Sequence, residues 1–137
     1  MDVAIQEFDF ASGKVLDPRR RQGLLFLSSP EDERAVVDGL RQKSYKMAAQ
    51  ARDVRDALGM VKKHKIGVFF LDADADGVDA LGLLANIRKV FPDMNVVLVS
   101  ATATKESVAE MLQAGAAGFL LKPVAADAVA SVLARLD

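Results

Sequence analysis

An apolar run that ends in a carboxylate constrains the fold of this chain most strongly. Residues 66–71 are apolar without alternation and rich in β-branched and aromatic side chains, and Asp72 follows them directly. Such a run is typical of a strand covered on both faces of a parallel sheet. Because ligands bind at the carboxyl ends of strands in open α/β sheets, the sequence predicts that Asp72 is placed for chemistry.

The rest of the chain repeats this strand pattern and alternates it with helical patterns. Strands are predicted at residues 24–27, 45–49, 66–71, 95–100 and 118–121, and a helix with apolar residues at helical spacing follows each of them. Five strands alternating with five helices predict an α/β fold, a doubly wound five-stranded parallel sheet. The less apolar strand at 45–49 is expected at a sheet edge.

Composition excludes several classes of protein. The chain has 137 residues, 51% apolar and 27% charged, with a formal net charge of -1 and no cysteine. These values favour one folded domain, exclude disulfides and thiolate metal sites, and give no strong field for nucleic acid. No apolar run reaches the ~18 residues of a membrane span, and no signal peptide is evident. We expect a cytoplasmic protein that contacts neither membrane nor nucleic acid directly.

The first 22 residues differ in composition from the rest. They contain Gly13, Pro18 and the basic run 19–21, which is typical of a linker or tail. We therefore predict an N-terminal extension at residues 1–22 and a domain at 23–137. The extension is expected to pack on its own domain or on a neighbour.

The acidic loop after the central strand has several interpretations. Residues 72–77 read Asp-x-Asp-x-Asp-Gly, as a calcium loop of the EF-hand kind begins. Such a loop needs an apolar eighth residue and a Glu twelfth, where this chain has Asp79 and Leu83. Three interpretations fit better. They are a phosphohydrolase with Asp72 as nucleophile and Asp74 as acid/base, an aspartyl phosphoacceptor, and a loop whose acids are merely solvated.

Three predicted strands end in polar residues that should meet at one rim: Asp72, Ser100 and Lys122. A carboxylate that accepts a phosphoryl group needs a cation to neutralise growing negative charge and a hydroxyl to hold a phosphoryl oxygen. Lys122 and Ser100 supply these two groups. The convergence of the three residues favours phosphoryl chemistry more than any one of them would alone.

Over residues 24–136 the chain resembles the receiver domains of bacterial two-component response regulators. The motifs stand in family order: Leu71-Asp72, Val78-Asp79, Val99-Ser100-Ala101, Gln113-Ala114-Gly115-Ala116, Gly118-Phe119 and Leu121-Lys122-Pro123. The resemblance implies a flavodoxin-like fold with strand order 2-1-3-4-5. It also implies roles for particular residues: Asp72 as phosphoacceptor, Ser100 as switch hydroxyl, Lys122 as phosphate sensor, Phe119 as switch aromatic, and a cis bond before Pro123.

One pair of residues departs from the family pattern. Receivers usually end their first strand with two acids that hold Mg²⁺, and here those positions are Ser28 and Ser29. Because Mg²⁺ prefers carboxylate and other oxygen ligands, we expect its binding to be weak or absent. Asp72 and Asp74 remain as candidate ligands, and Asp32 is a further candidate at the start of the first helix. Helix capping is the simpler role for the two serines.

Two functions therefore stay open at the level of sequence. In the first, a histidine kinase or phosphotransfer protein donates a phosphoryl group to Asp72. In the second, the domain is a pseudo-receiver, an interaction module that works without phosphorylation. A downstream protein is expected on the fourth helix, fifth strand and fifth helix, and a homodimer is left open. A haloacid-dehalogenase-like phosphohydrolase is a remote alternative, because the chain has no inserted cap domain, and we do not expect an enzyme.

Overall fold

The computed structural model describes residues 7–9, 14–16 and 21–136. Seven strands lie in this part of the chain: β1 (Glu7–Asp9), β2 (Lys14–Leu16), β3 (Gln22–Phe26), β4 (Lys46–Gln50), β5 (Val68–Asp72), β6 (Asn95–Ser100) and β7 (Gly118–Leu121). The five described helices are α1 (Pro30–Gln42), α2 (Val54–Lys63), α3 (Ala80–Val90), α4 (Lys105–Gln113) and α5 (Ala126–Leu136).

The central sheet has five strands in the order β4-β3-β5-β6-β7. All four of its pairings are parallel. Counted along these five strands the order is 2-1-3-4-5, so the prediction of a doubly wound parallel sheet is confirmed. The short strand β4 lies at one edge, where its side chains are mostly exposed or half-buried. Register pairs Asp72 with Val99 on β6, which brings the acidic strand end beside Ser100.

Helices cover both faces of the sheet, and this explains why β5 is apolar without alternation. Every residue of β5 is buried. Val68 and Phe70 pack on the face covered by α1 and α5, whereas Phe69 and Leu71 pack on the face covered by α2, α3 and α4. The strand therefore needs apolar side chains in both directions until it reaches its carboxyl end.

The helices α1 and α5 come unusually close together at Gly39. A Cβ atom built on Gly39 would lie 2.4 Å from the Cβ of Val129 and 2.8 Å from the carbonyl oxygen of Ala126. Only a residue without a side chain permits this approach. The same face buries Leu40 of α1 and Leu133 of α5 in one apolar cluster.

The N-terminal region contains structure that the sequence analysis missed. Glu7–Asp9 pairs with Lys14–Leu16 in a separate two-stranded antiparallel sheet. A linker or tail had been predicted there, because the apolar positions in this stretch are few and the strands are only 3 residues long. The predicted packing of the extension rests largely on residues outside the described ones. In the part of the chain described here, no helix is both long and apolar enough to cross a membrane.

Candidate functional site

Asp72 lies at the centre of the polar rim, as the last residue of β5, and is 0% exposed. Ser28, which follows β3, donates to its Oδ2 twice: the hydroxyl at 2.5 Å and the backbone N–H at 3.2 Å. The backbone N–H of Asp74 donates to Oδ1 at 2.9 Å. These hydrogen bonds offset the free-energy cost of burying the Asp72 carboxylate.

Lys122, the first residue after β7, completes the environment of Asp72. Its Nζ lies 2.8 Å from Oδ1 and 2.9 Å from Oδ2 of Asp72, so the ammonium bridges both oxygens. The same Nζ lies 3.5 Å from Oδ2 of Asp74. The backbone N–H of Lys122 donates to the carbonyl of Ser100 at 3.1 Å, and the Lys122–Pro123 peptide bond is cis. One cation therefore serves two carboxylates.

Asp74 collects the donors at the end of β6. Its Oδ1 accepts from the hydroxyl of Ser100 at 2.5 Å and from the hydroxyl of Thr102 at 3.0 Å. Its Oδ2 accepts from the backbone N–H of Ala101 at 2.7 Å. With Lys122 these contacts form a set of two hydroxyls, one amide and one ammonium around a single carboxylate.

The pKa values of the three ionised groups follow from this arrangement. Burial by itself raises the pKa of Asp72, but hydrogen bonds from Lys122, Ser28 and the amide of Asp74 outweigh it and lower the pKa. Burial likewise raises the pKa of Asp74, and donors from Ala101, Ser100 and Thr102 lower it overall. Burial lowers the pKa of Lys122, yet the carboxylates of Asp72 and Asp74 raise it overall. All three groups are charged at neutral pH.

Comparison with known proteins identifies the family. Residues 30–134 match the family model described as response regulator receiver domain. The chain belongs to the receiver domain family. It is 31% identical over 106 residues to the chemotaxis protein CheY-3 of Vibrio cholerae, a match that spans 76% of this chain and 79% of that protein. It is 30% identical over 89 residues to the transcriptional regulatory protein CitT of Bacillus subtilis, covering 65% of this chain and 39% of that protein.

Solved structures agree with this membership. A response regulator from Thermotoga maritima superposes with a TM-score of 0.74 at 26% identity, covering 84% of this chain and 95% of that one. The receiver domain of the putative response regulator NarL from Mycobacterium tuberculosis gives 0.70 at 28% identity, covering 82% and 92%. Receiver domains are signalling modules of two-component systems, and they interact with histidine kinases and downstream effectors. This chain is therefore a receiver domain of two-component signal transduction.

The structure brings together most of the residues predicted for the receiver site. Asp72 and Lys122 are in direct contact, whereas Ser100 contacts Asp74 and not Asp72 among the hydrogen bonds described. Phe119 on β7 is partly buried against the α2, α3 and α4 face of the core. Ser28 binds Asp72 directly, a contact that goes beyond the capping role predicted for it.

Two residues at the start of α1 take structural positions. Ser29 caps the helix, because its hydroxyl oxygen accepts from the backbone N–H of Asp32 at 3.5 Å, and the same hydroxyl donates to Glu31. Asp32 is 5% exposed, and its Oδ1 accepts from the backbone N–H of Val124 at 3.0 Å. Its carboxylate thus fixes the loop after β7 to α1.

The end of β3 departs from the pair of acids that is typical of the magnesium site of receivers. Both oxygens of Asp72 and both oxygens of Asp74 already accept hydrogen bonds from the chain. The β3 end contributes the hydroxyls of Ser28 and Ser29 where Mg²⁺ favours carboxylates. Across residues 21–136 no group of three or more acidic, His or Cys side chains is arranged to hold a metal ion. Asp72 and Asp74 are the two carboxylates at this rim that could supply oxygen ligands.

Sequence reasoning missed the part played by Thr102 and the full role of Asp74. The signal for Thr102 was its position two residues beyond Ser100, where its hydroxyl can turn back to the same acceptor. Asp74 was recognised only as a candidate metal ligand or acid. Its spacing from Asp72 shows that it lies in the loop directly after β5, but the direction of the Asp74 side chain depends on how that loop folds.

Proposed function

We propose that this receiver domain signals through protein contacts in one fixed state, without phosphorylation of Asp72. The observation that carries the proposal is the environment of the Asp72 carboxylate, which is buried and hydrogen-bonded at both oxygens. A phosphoacceptor must present a free lone pair of one oxygen to phosphorus, in line with the leaving group. Here Ser28 and Lys122 both donate to Oδ2, and Lys122 and the N–H of Asp74 both donate to Oδ1.

Charge supports the same proposal. Transfer of a phosphoryl group adds negative charge beside Asp72 and Asp74, and Mg²⁺ commonly neutralises part of this charge. The serines at 28 and 29 leave the β3 side without the carboxylates that would recruit the ion. Lys122 is already shared by two acids. Phosphorylation of this site is therefore expected to be slow or absent.

The proposed contact surface is the face formed by α4, β7 and α5. Leu121 at the end of β7 is 61% exposed and Leu112 on α4 is 49% exposed, which leaves apolar area available on that face. We propose that a downstream protein, or the sensor kinase itself, binds there. In this proposal regulation comes from the abundance or the state of the partner, because the domain does not switch.

A second candidate function is phosphoryl acceptance, and the contact of Lys122 with both oxygens of Asp72 favours it. An oxygen of Asp72 would attack phosphorus, a P–O bond would form, and the bond from phosphorus to the donor's nitrogen or oxygen would break. The leaving group would take that electron pair. For this to occur the hydroxyl of Ser28 has to release Oδ2.

Incubation with acetyl phosphate, with and without Mg²⁺, distinguishes the two candidates. The products are read by intact mass, and Asp72→Asn is the control for the site of modification. We expect no phosphoryl adduct on the native protein under conditions that modify its Ser28→Asp/Ser29→Asp variant. An adduct on the native protein that disappears in Asp72→Asn would establish the second candidate instead.

A further inference from the structure

We propose that the Asp74 carboxylate is a built-in substitute for a phosphoryl group, occupying the hydrogen-bond donors that would otherwise hold one. The inference deepens the proposed function and rests on it. It assigns to Asp74 a part in regulation that neither metal binding nor loop solvation describes.

The donors come from two separate strand ends and converge on one anion. The hydroxyl of Ser100, the last residue of β6, lies 2.5 Å from Oδ1 of Asp74. The N–H of Ala101, the next residue, lies 2.7 Å from Oδ2. The Nζ of Lys122 follows β7 and lies 3.5 Å away. A hydroxyl, a backbone amide and a cation at one point are the groups that stabilise phosphoryl oxygens. Asp74 leaves none of these three donors without an anionic partner.

The position of Asp74 next to the phosphoacceptor position is itself fixed. Its own backbone N–H donates to Oδ1 of Asp72 at 2.9 Å, so the side chain starts beside that carboxylate and extends toward β6. Asp76, two residues further along the same loop, is exposed and makes no contact with these donors in the hydrogen bonds described. The interaction is therefore specific to position 74 and not a general property of the acidic loop.

This arrangement has a consequence for the state of the domain. Ser100 is 2% exposed and its hydroxyl is drawn toward the pocket by Asp74. A phosphoryl group on Asp72 would compete with Asp74 for Ser100, Ala101 and Lys122, and would add an anion beside an anion. The donors at the rim therefore have an anionic partner before any phosphoryl group is added. In this proposal the domain does not respond to phosphoryl donors.

The test compares two variants that remove the same charge from the same loop. Asp74→Asn keeps the size of the side chain and removes its charge, and Asp76→Asn is the matched control. Both are placed in a Ser28→Asp/Ser29→Asp background, so that the metal is not limiting. The probe is beryllofluoride with Mg²⁺, followed by ¹⁹F NMR and by the amide signals of Ala101 and Thr102. Circular dichroism confirms that each variant is folded.

We expect Asp74→Asn to bind beryllofluoride at concentrations at least about tenfold lower than Asp76→Asn, because the neutral amide competes less strongly than the carboxylate for the same donors. The Ala101 amide should shift on binding in Asp74→Asn. Equal binding by the two variants, or binding by neither, would overturn the inference. The outcome is separable from the proposed function, which fails only if the native protein is phosphorylated by acetyl phosphate.

A measurement on the native protein needs no substitution. In uniformly labelled protein we expect a scalar coupling across the hydrogen bond from the Ala101 nitrogen to the side-chain carboxyl carbon of Asp74. The coupling should be absent from Asp74→Ala, which has no side-chain acceptor, and retained in Asp76→Asn. A native protein that lacks this coupling, while its other amide couplings are observed, would overturn the assignment of Asp74 to these donors.

Discussion

The two sides of the rim around Asp72 differ in what they contribute. On the β3 side, Ser28 donates hydrogen bonds to Asp72 and Ser29 caps α1, so this side brings hydroxyls and no carboxylate to the centre. On the β6 and β7 side, Ser100, Ala101 and Lys122 are all present and are engaged by Asp74. The β3 side therefore places hydroxyls next to Asp72, while the donors of the β6 and β7 side are held by a carboxylate.

The two sides of the rim make separate sets of contacts. On the β6 and β7 side, Asp74 satisfies the donors of Ser100 and Ala101. Lys122 is shared between Asp74 and Asp72. Substitutions can therefore address the two sides one at a time.

The largest expected effect comes from restoring the β3 side. In Ser28→Asp/Ser29→Asp, affinity for Mg²⁺ should rise by up to about three decades, since one unit charge about 4 Å away contributes at most roughly 4 kcal/mol at an effective dielectric near 20. Isothermal titration calorimetry measures the change. Adding Asp72→Asn to that variant should remove most of the gain. Unchanged Mg²⁺ affinity in the double variant would show that the β3 side is not what limits the metal.

The second prediction removes the Lys122 cation from the β7 side of the rim. Lys122→Met leaves Asp72 buried next to Asp74 without a counter-charge, and this should destabilise the domain by about 3 kcal/mol at neutral pH. Urea denaturation measures the loss. Lys65→Met, at an exposed position remote from the rim, is the matched control and should change stability by less than about 0.5 kcal/mol. Equal stabilities of the two variants would contradict the view that Lys122 holds both acids.

A third substitution, at the start of α1, tests whether Asp32 stabilises the fold or binds the metal. Asp32→Ala removes the acceptor of the Val124 N–H, which should cost about 1–3 kcal/mol of stability because a buried donor loses its partner. In the Ser28→Asp/Ser29→Asp background it should leave Mg²⁺ affinity unchanged within about twofold, a difference below about 0.5 kcal/mol. A marked drop in Mg²⁺ affinity would instead make Asp32 a ligand.

The smallest effect is expected on the free energy of unfolding when the pH is lowered. Because the folded-state pKa values of Asp72 and Asp74 are lowered, their contribution to stability is present above the ordinary carboxyl range and is lost as pH falls through the folded values. The free energy of unfolding should therefore decline below about pH 4. Asp72→Asn should flatten this decline more than Asp76→Asn does. Identical acid profiles for the two variants would show that the rim carries no such linkage.

Much of the fold and part of the site could be predicted from sequence. Apolar strands without alternation specify a parallel sheet, and a parallel sheet places Asp72, Ser100 and Lys122 at one rim, because strand ends are fixed by the backbone. The partners of Asp74 could not be predicted, because they depend on side-chain directions in a loop. Asp32 was considered for the metal, yet its partner Val124 lies 92 residues away in sequence. The antiparallel pairing of β1 with β2 was missed because two strands of 3 residues give little periodic signal.

The close packing of α1 on α5 at Gly39 also bears on how the chain is made. Leu40 of α1 packs in the same cluster as Val129 and Leu133 of α5, so one half of the core joins an early segment of the domain to a late one. During synthesis α1 can pack on β3 and β5 as soon as these strands are made, but the strip around Gly39 lacks its partner until α5 follows. Until then that strip of the nascent domain is exposed to chaperones and proteases.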